Sequence, residues 1–426
     1  MTGLEKLYIN GGVPLRGEVQ ISGAKNAVLK IMAAALLGQG PSLLSNVPQI
    51  RDVKTMCSVL RSLGAQVESG HGTVKIDPGT GLMNTAPHDL VKGMRASIQV
   101  LGPLLGRLGE VKVALPGGCA IGDRPIDMHL EGLKAMGAEI RDEHGYVLAR
   151  ATKLRGARIH LDYPSVGATE NLMMAASLAE GETVLLNPAK EPEIIESQRF
   201  LNKMGAQIRG AGTNRIVIKG VRQLKGADYR VGPDRIEAGT FMVAAALTGG
   251  EILINGAVEE HLGAVIHKLQ QAGVQLQFME GNRVLVRSKE KLQPIQLRTM
   301  PYPGFPTDMQ PQFMVLSTVA AGVSIITEAV YNNRFKHVND LRRMGADIYV
   351  EGRTAVIKGT QFLSGACVTC PDLRAGAALV LAGLAANGQT VVEDIAHIDR
   401  GYENLESKLA QLGADIVRQQ SGEQAC

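Results

Sequence analysis

Tryptophan is absent from this chain, and aromatic side chains make up only 4% of it. It has no basic run and no aromatic motif of the RNA-binding kind. Its net charge of +4, from 45 basic and 41 acidic side chains, is small and evenly spread, which excludes a nucleic-acid partner. Every apolar stretch is too short to span a bilayer, so no membrane partner is expected. Met1–Asn10 lacks a basic region followed by an apolar one, so no signal peptide is expected either. Cysteine is scarce: five residues, Cys57, Cys119, Cys367, Cys370 and Cys426, odd in number and scattered. They read as reduced thiols of a cytoplasmic protein. P-loop and GxGxxG fingerprints are missing, as is any second CxxC or His/Cys cluster that would hold zinc. Cys367-x-x-Cys370 falls in a strand, where residues three apart face opposite ways.

What the chain does have is glycine, 50 residues of it, within a globular composition of 45% hydrophobic and 20% charged residues. At 426 residues it exceeds one ordinary core, so at least two domains are expected. One phrase recurs: Leu/Met-rich residues, then Gly-Ala or Gly-Val, then a strand-like stretch. Its glycines are Gly64, Gly137, Gly205, Gly273, Gly345 and Gly413, spaced by 73, 68, 68, 72 and 68 residues. Each follows an amphipathic helix, and a C′ glycine in the left-handed conformation stops such a helix.

Before each phrase comes a helix of small apolar residues, as in AKNAVLKIMAAALL and DLRAGAALVLAGLA, apolar on nearly all faces and therefore buried. A short strand follows it. The repeat is thus buried helix, strand, amphipathic helix and two strands, six times over. The sixth copy ends without its last strand. The N-terminal EKLYINGGVPLRGEVQISGAKN parallels the stretch from Asn214 to Ile236, so the first strands are expected to complete it. Three repeats then form a domain over 24–232, and 1–23 joins 233–426 as a second, with a cleft between them.

Equivalent repeats place their buried-helix starts in equivalent positions. These carry Lys25, Arg95, Thr169, Asp234 with Arg235 and Glu237, Asp308, and Asp372 with Arg374, and a helix start with its unpaired N–H groups is an anion site. For the three aspartates, plain helix capping is the alternative. Lys and Arg at a helix start are harder to dismiss, because the dipole disfavours them unless an anion is near. The Gly-rich loop from Pro116 to His129 holds Cys119 beside Arg124, a cation that favours the thiolate, although a lone cysteine is more commonly inert. Arg334 and Arg400 lie in corresponding loops and suit bidentate binding of phosphate or carboxylate, or else make surface ion pairs. His129 and His397 are equally readable as substrate contacts or as structural histidines.

SGAKNA, MRAS, LPGGCAIGDRPID, SVGATEN, PDRIEAGTF, PGFPTDMQ, NRF, DLRAGAALVLAG and HIDRGYE together resemble the enolpyruvyl transferases that act on UDP-N-acetylglucosamine in peptidoglycan synthesis. The resemblance spans essentially the whole chain. It implies an α/β fold of two inside-out α/β barrels, each of three βαβαββ-type units. It also implies a reaction without metal or cofactor on two small molecules, phosphoenolpyruvate and UDP-N-acetylglucosamine. In that family the counterpart of Cys119 donates a proton, and that of Asp308 binds or deprotonates the sugar hydroxyl. The counterparts of Lys25, Arg95, Arg124 and Arg400 hold phosphoenolpyruvate, with Asn26 and Arg334 nearby and Asp372 and Arg374 orienting the site. The nucleotide-sugar is implied to meet Arg124, Pro125, Ile126, Asp127, Met128, Ser165, Val166, Gly167, Asp308 and Val330. Tyr163 departs from members that carry lysine there, and Asn332 replaces an acidic residue frequent before NRF. The rival readings are the sister enzyme acting on shikimate 3-phosphate and a non-catalytic nucleotide-sugar-binding paralogue.

Overall fold

The computed structural model describes residues 5–86, 95–114, 126–288 and 291–420, with the side chains of 95–97 outside that set. The chain divides into two compact units. One takes the described residues from Gly23 to Gly232, the other those up to Ser22 together with those from Pro233 onward.

Each unit is built round helices that no polar face could leave in water. Lys25–Ala34, Leu101–Leu108 and Val166–Ala176 lie inside the first unit; Arg235–Thr248, Gln310–Thr318 and Leu373–Ala385 lie inside the second. In Leu373–Ala385 all twelve residues from Leu373 to Leu384 are buried. Small side chains let these helices approach closely. A methyl group placed on Gly102 would lie 2.3 Å from the carbonyl oxygen of Asn171 on the neighbouring helix, so only glycine fits there. The amphipathic helices pack outside with one apolar stripe. In Arg51–Ser62 that stripe is Val53, Met56, Cys57 and Leu60, the i, i+3, i+4, i+7 spacing of a single face.

The sheets cover this helical interior. Among the described residues the first unit has three separate sheets, and the second has three four-stranded sheets and one two-stranded sheet, rather than one continuous hydrogen-bonded ring in either. Most share one pattern: an edge strand parallel to its neighbour, then two antiparallel strands. Arg16–Gln20 runs parallel to Glu251–Asn255, which pairs antiparallel with Arg283–Arg287, and that in turn with Gln275–Met279. The exception in form is Glu110–Ala114, whose parallel partner is reduced to a bridge between Thr85 and Lys112. The inside-out α/β architecture implied by the resemblance is therefore present in both units.

Strands also close each set of three repeats. Tyr229–Arg230, after the third repeat, returns to pair with Ser42–Ser45 of the first. Glu5–Asn10 enters the last sheet between Gln389–Glu393 and Asp415–Gln420, burying Leu7 and Ile9. Arg16–Gln20 then opens the fourth sheet. Cys367 and Cys370 face opposite ways at the strand Cys367–Thr369, the first exposed and the second buried, as the alternation requires.

All six phrase glycines have positive φ, from 88° at Gly273 to 107° at Gly205. Gly345, at 91°, meets nothing within 4 Å of an added methyl group, so its requirement is purely one of backbone conformation. Gly345→Ala is expected to lower stability by about 1–2 kcal/mol. Gly263, at an open helix start, should accept alanine at no loss. Urea midpoints of the two variants decide this; equal midpoints would contradict it.

Candidate active site

Several of the residues expected at the site lie on or beside buried-helix starts, and the structure sorts those whose side chains it describes by what these do. Asp234 accepts from the backbone N–H of Ile236 at 2.8 Å and of Glu237 at 3.1 Å. Asp372 accepts from Arg374 at 2.9 Å and Ala375 at 3.1 Å. Both are N-caps. Asp308 is not. It sits in the short 3₁₀ turn Thr307–Met309, whose start has no side-chain cap, and its carboxylate faces two guanidinium groups. Arg334 Nη2 reaches Oδ1 at 3.0 Å; Arg374 reaches Oδ2 through Nε at 3.2 Å and Nη2 at 3.1 Å.

Both arginines are almost wholly buried, at 2% and 3% side-chain exposure, while Asp308 is 26% exposed. The exposed member of this trio is thus the carboxylate, held in place by two buried cations. Arg374 is fixed in turn by Tyr402, whose ring lies 5.3 Å from the guanidinium carbon. The Tyr402 hydroxyl is 2.8 Å from Thr240 Oγ1, and Thr240 donates its own proton to the Ile236 carbonyl at 2.8 Å. Tyr402 therefore donates to Thr240, and Gln312 Nε2 donates to Tyr402 at 3.3 Å. Burial raises the Tyr402 phenol, keeping it neutral beside the cation. The fully buried His337 feels both Asp372 and Arg334, and burial pushes its imidazole down to about 4, so it stays uncharged. Arg400 ends the 3₁₀ helix Ile395–Arg400, two residues before Tyr402, and is half-buried.

Glu328 was not singled out from sequence. It is buried at the end of strand Val323–Thr327 and accepts from Thr299 Oγ1 at 2.8 Å, Thr307 Oγ1 at 2.9 Å and the N–H groups of Val330 and Tyr331 at 2.8 and 3.0 Å. One carboxylate thereby fixes both the turn bearing Asp308 and the loop bearing Val330. The sequence signal is slight: an acidic residue just past a strand, where solvent exposure is the ordinary outcome.

In the other unit Lys25 is the first residue of its helix, uncapped by any side chain, and pairs with Asp52 at 3.1 Å. The carboxylate that a lysine at a helix start requires is therefore supplied by the chain itself, from the first turn of the next helix. Lys30, one turn on, pairs with the buried Glu170 at 3.4 Å, and its Nζ also donates to the Asn26 carbonyl. Ser165 caps Val166–Ala176 by accepting from Ala168 N–H at 3.3 Å, which places Ser165, Val166 and Gly167 at that helix start. Thr169 accepts from Ala189 N–H at 3.0 Å. Ile126 and Met128 pack on the core, and Asp127 opens the helix Asp127–Ala135 exposed. Cys119, Arg124 and Pro125 lie outside the described residues, as does the side chain of Arg95. Among the described residues no helix is long and apolar enough to cross a membrane.

Comparison with known proteins adds the following. The family profile of EPSP synthase (3-phosphoshikimate 1-carboxyvinyltransferase) matches residues 9–409. The chain is 57% identical over 416 residues to the UDP-N-acetylglucosamine 1-carboxyvinyltransferase of Trichlorobacter lovleyi, covering 97% of this chain and 99% of that one. It is 55% identical over 415 residues to the enzyme of the same name from Geobacter metallireducens, covering 97% and 99%. The solved structure of the enolpyruvyl transferase NikO from Streptomyces tendae superposes with a TM-score of 0.89 at 27% identity, covering 98% of this chain and 100% of that one. EPSP synthase from Acinetobacter baumannii shares the fold, with a TM-score of 0.75 at 21% identity over 98% and 100%.

Two buried carboxylates next to lysines carry a stability signature. Burial pushes Glu170 up to about 7, against the Lys30 ammonium and the Ser197 hydroxyl, which pull it down. Glu237, beside Lys408 at 2.6 Å, is likewise raised by burial to about 7. A carboxyl raised in the folded state contributes stability that is present below its unfolded value of 4.5 and lost as pH climbs to about 7. Urea midpoints of the wild type are expected to fall across that window, and Glu170→Gln to flatten the fall. An unchanged slope would contradict the assignment.

Proposed function

The chain belongs to the enolpyruvyl transferase family of EPSP synthase, and from that premise we propose that it transfers the enolpyruvyl group of phosphoenolpyruvate to the 3′-hydroxyl of UDP-N-acetylglucosamine, releasing phosphate. This is the committing step of peptidoglycan synthesis, and the enzyme would act in the cytoplasm of a growing and dividing cell. The acceptor is favoured over shikimate 3-phosphate because the relatives more than half identical to this chain carry the nucleotide-sugar name. The geometric observation that carries the chemistry is Asp308, a partly exposed carboxylate held by two buried arginines at a helix start where its counterparts only cap.

In the first stage the sugar hydroxyl adds to C2 of phosphoenolpyruvate and C3 gains a proton, giving a tetrahedral intermediate. In the second the C2–O bond to phosphate breaks, and a proton leaves C3 to restore the double bond. Asp308 accepts the hydroxyl proton or orients the hydroxyl, since an ionised carboxylate within reach is what either role needs. Cys119 supplies the proton to C3. Lys25, Arg95, Arg124 and Arg400, with Asn26 and Arg334 beside them, hold the carboxylate and phosphate of phosphoenolpyruvate. Such preset cations stabilise charge moving onto the departing phosphate without reorganising. The Lys25–Asp52 pair is consistent with this: Asp52 holds Lys25 in place before substrate arrives. Ile126, Asp127, Met128, Ser165, Val166, Gly167 and Val330 would line the nucleotide-sugar. Asp372, as cap, fixes the helix that presents Arg374.

Phosphate release from phosphoenolpyruvate, with UDP-N-acetylglucosamine or shikimate 3-phosphate as acceptor, tests the reading. Release with the former alone is expected; release with the latter alone would refute it. Fosfomycin, an epoxide bearing a phosphonate, is expected to add its mass to the intact protein through Cys119. A mass shift that persists in Cys119→Ala would contradict that role. Lys25→Ala should raise KM for phosphoenolpyruvate more than KM for the nucleotide-sugar, and equal rises would make Lys25 a structural residue.

A further inference from the structure

Between the helices Asp127–Ala135, Leu101–Leu108 and Val166–Ala176 lies a buried polar knot centred on an amide whose donors and acceptors can be assigned. The Asn171 side chain sits at its centre, fully buried. Its Oδ1 accepts from the N–H of Gly102 at 2.6 Å, and its Nδ2 donates to the carbonyl of Ile98 at 3.2 Å. A backbone N–H can only donate and a carbonyl can only accept, so the amide cannot be turned the other way. The second hydrogen on Nδ2 points at His129 Nδ1, 2.9 Å away. An amide nitrogen has no acceptor capacity, so Nδ1 must be the acceptor, and His129 is then neutral with its proton on Nε2.

His129 Nε2 lies at the start of the third buried helix. A methyl group built on Gly167 would lie 3.1 Å from it and 3.2 Å from Gln99 Nε2. Gln99 Nε2 donates to the Gly167 carbonyl at 3.2 Å. His129 is one residue beyond Met128, and Gly167 belongs to the Ser165–Gly167 set. The knot therefore ties together the two segments proposed to line the nucleotide-sugar.

We propose that His129, as its Nε2–H tautomer, is a positioning residue for the nucleotide-sugar: through Asn171 and Gly167 it sets the spacing between the Asp127–Met128 turn and the Ser165–Gly167 helix start. The proposal rests on the assignment of those segments to the nucleotide-sugar. It gives His129 no part in proton transfer to phosphoenolpyruvate. The acceptor at Nδ1 is what matters to Asn171, so a glutamine, which keeps a polar acceptor, should replace histidine better than leucine does.

Two measurements on the full chain test it. Two-bond proton–nitrogen correlation spectra of the histidine-labelled wild type, with the signal assigned by its loss in His129→Gln, should show a neutral Nε2–H ring. A ring protonated on Nδ1 would overturn the proposal whether or not His129→Leu folds. In steady-state phosphate release, His129→Leu should raise KM for UDP-N-acetylglucosamine about tenfold, the size expected for one lost buried hydrogen bond, with KM for phosphoenolpyruvate unchanged. His129→Gln should restore most of that loss. Equal rises in both KM values, or no rescue by glutamine, would leave His129 as core packing and overturn the proposal. A wild type that turns over phosphoenolpyruvate with shikimate 3-phosphate and never with UDP-N-acetylglucosamine would instead remove the function reading beneath it.

Discussion

Six helices that are apolar on nearly every face impose the constraint from which the rest of the molecule follows. A helix such as Leu373–Ala385 has no side to leave in water, so it must be surrounded. Two further helices of the same kind and three four-stranded sheets laid outside them surround it, one helix and one such sheet from each of three repeats. Covering the last gap takes strands from elsewhere in the chain. Tyr229–Arg230 supplies one in the first unit, and Glu5–Asn10 with Arg16–Gln20 supply them in the second. The N-terminal strands are thus part of the second core, with Leu7 and Ile9 buried in it.

Burying whole helices also buries their ends, and each end needs its N–H groups satisfied. Asp234, Asp372 and Ser165 meet that need in the ordinary way, by capping. The same positions, freed from capping, are open to other partners. Asp308 turns to Arg334 and Arg374, and Lys25 turns to Asp52. The support behind them is equally specific. Tyr402 holds Arg374 from behind, while Glu328 fixes the Asp308 turn and the Val330 loop at once. A fold repeated six times therefore gives equivalent positions different partners, because the departures lie in side chains and leave the backbone plan intact.

The repeat, its glycines and its buried helices were legible in the sequence because each has a local cause: a left-handed stop, a period of 3.6, a run of small residues. The same local reasoning put Cys367 and Cys370 on opposite faces of a strand. It could not separate Asp308 from Asp234 and Asp372. Whether an aspartate caps or faces an arginine depends on Arg334 and Arg374, which are distant in the chain. Nor could it see that Lys25 is answered by Asp52, or that Arg334, set in a polar loop, is 3% exposed rather than on the surface. Asn171 and Glu328 are polar residues in apolar surroundings, and their meaning lies entirely in partners brought by the fold.

The central claim is that equivalent helix-start aspartates have different work, Asp308 in the reaction and Asp234 in the cap. Phosphate release and urea unfolding of Asp308→Asn and Asp234→Asn, measured side by side, test it most directly. Asp308→Asn should lose turnover by a factor of about 10² or more. Asp234→Asn should keep turnover within about tenfold while losing about 1 kcal/mol of stability or less, since asparagine still caps. Equal losses of turnover in the two variants would contradict the claim.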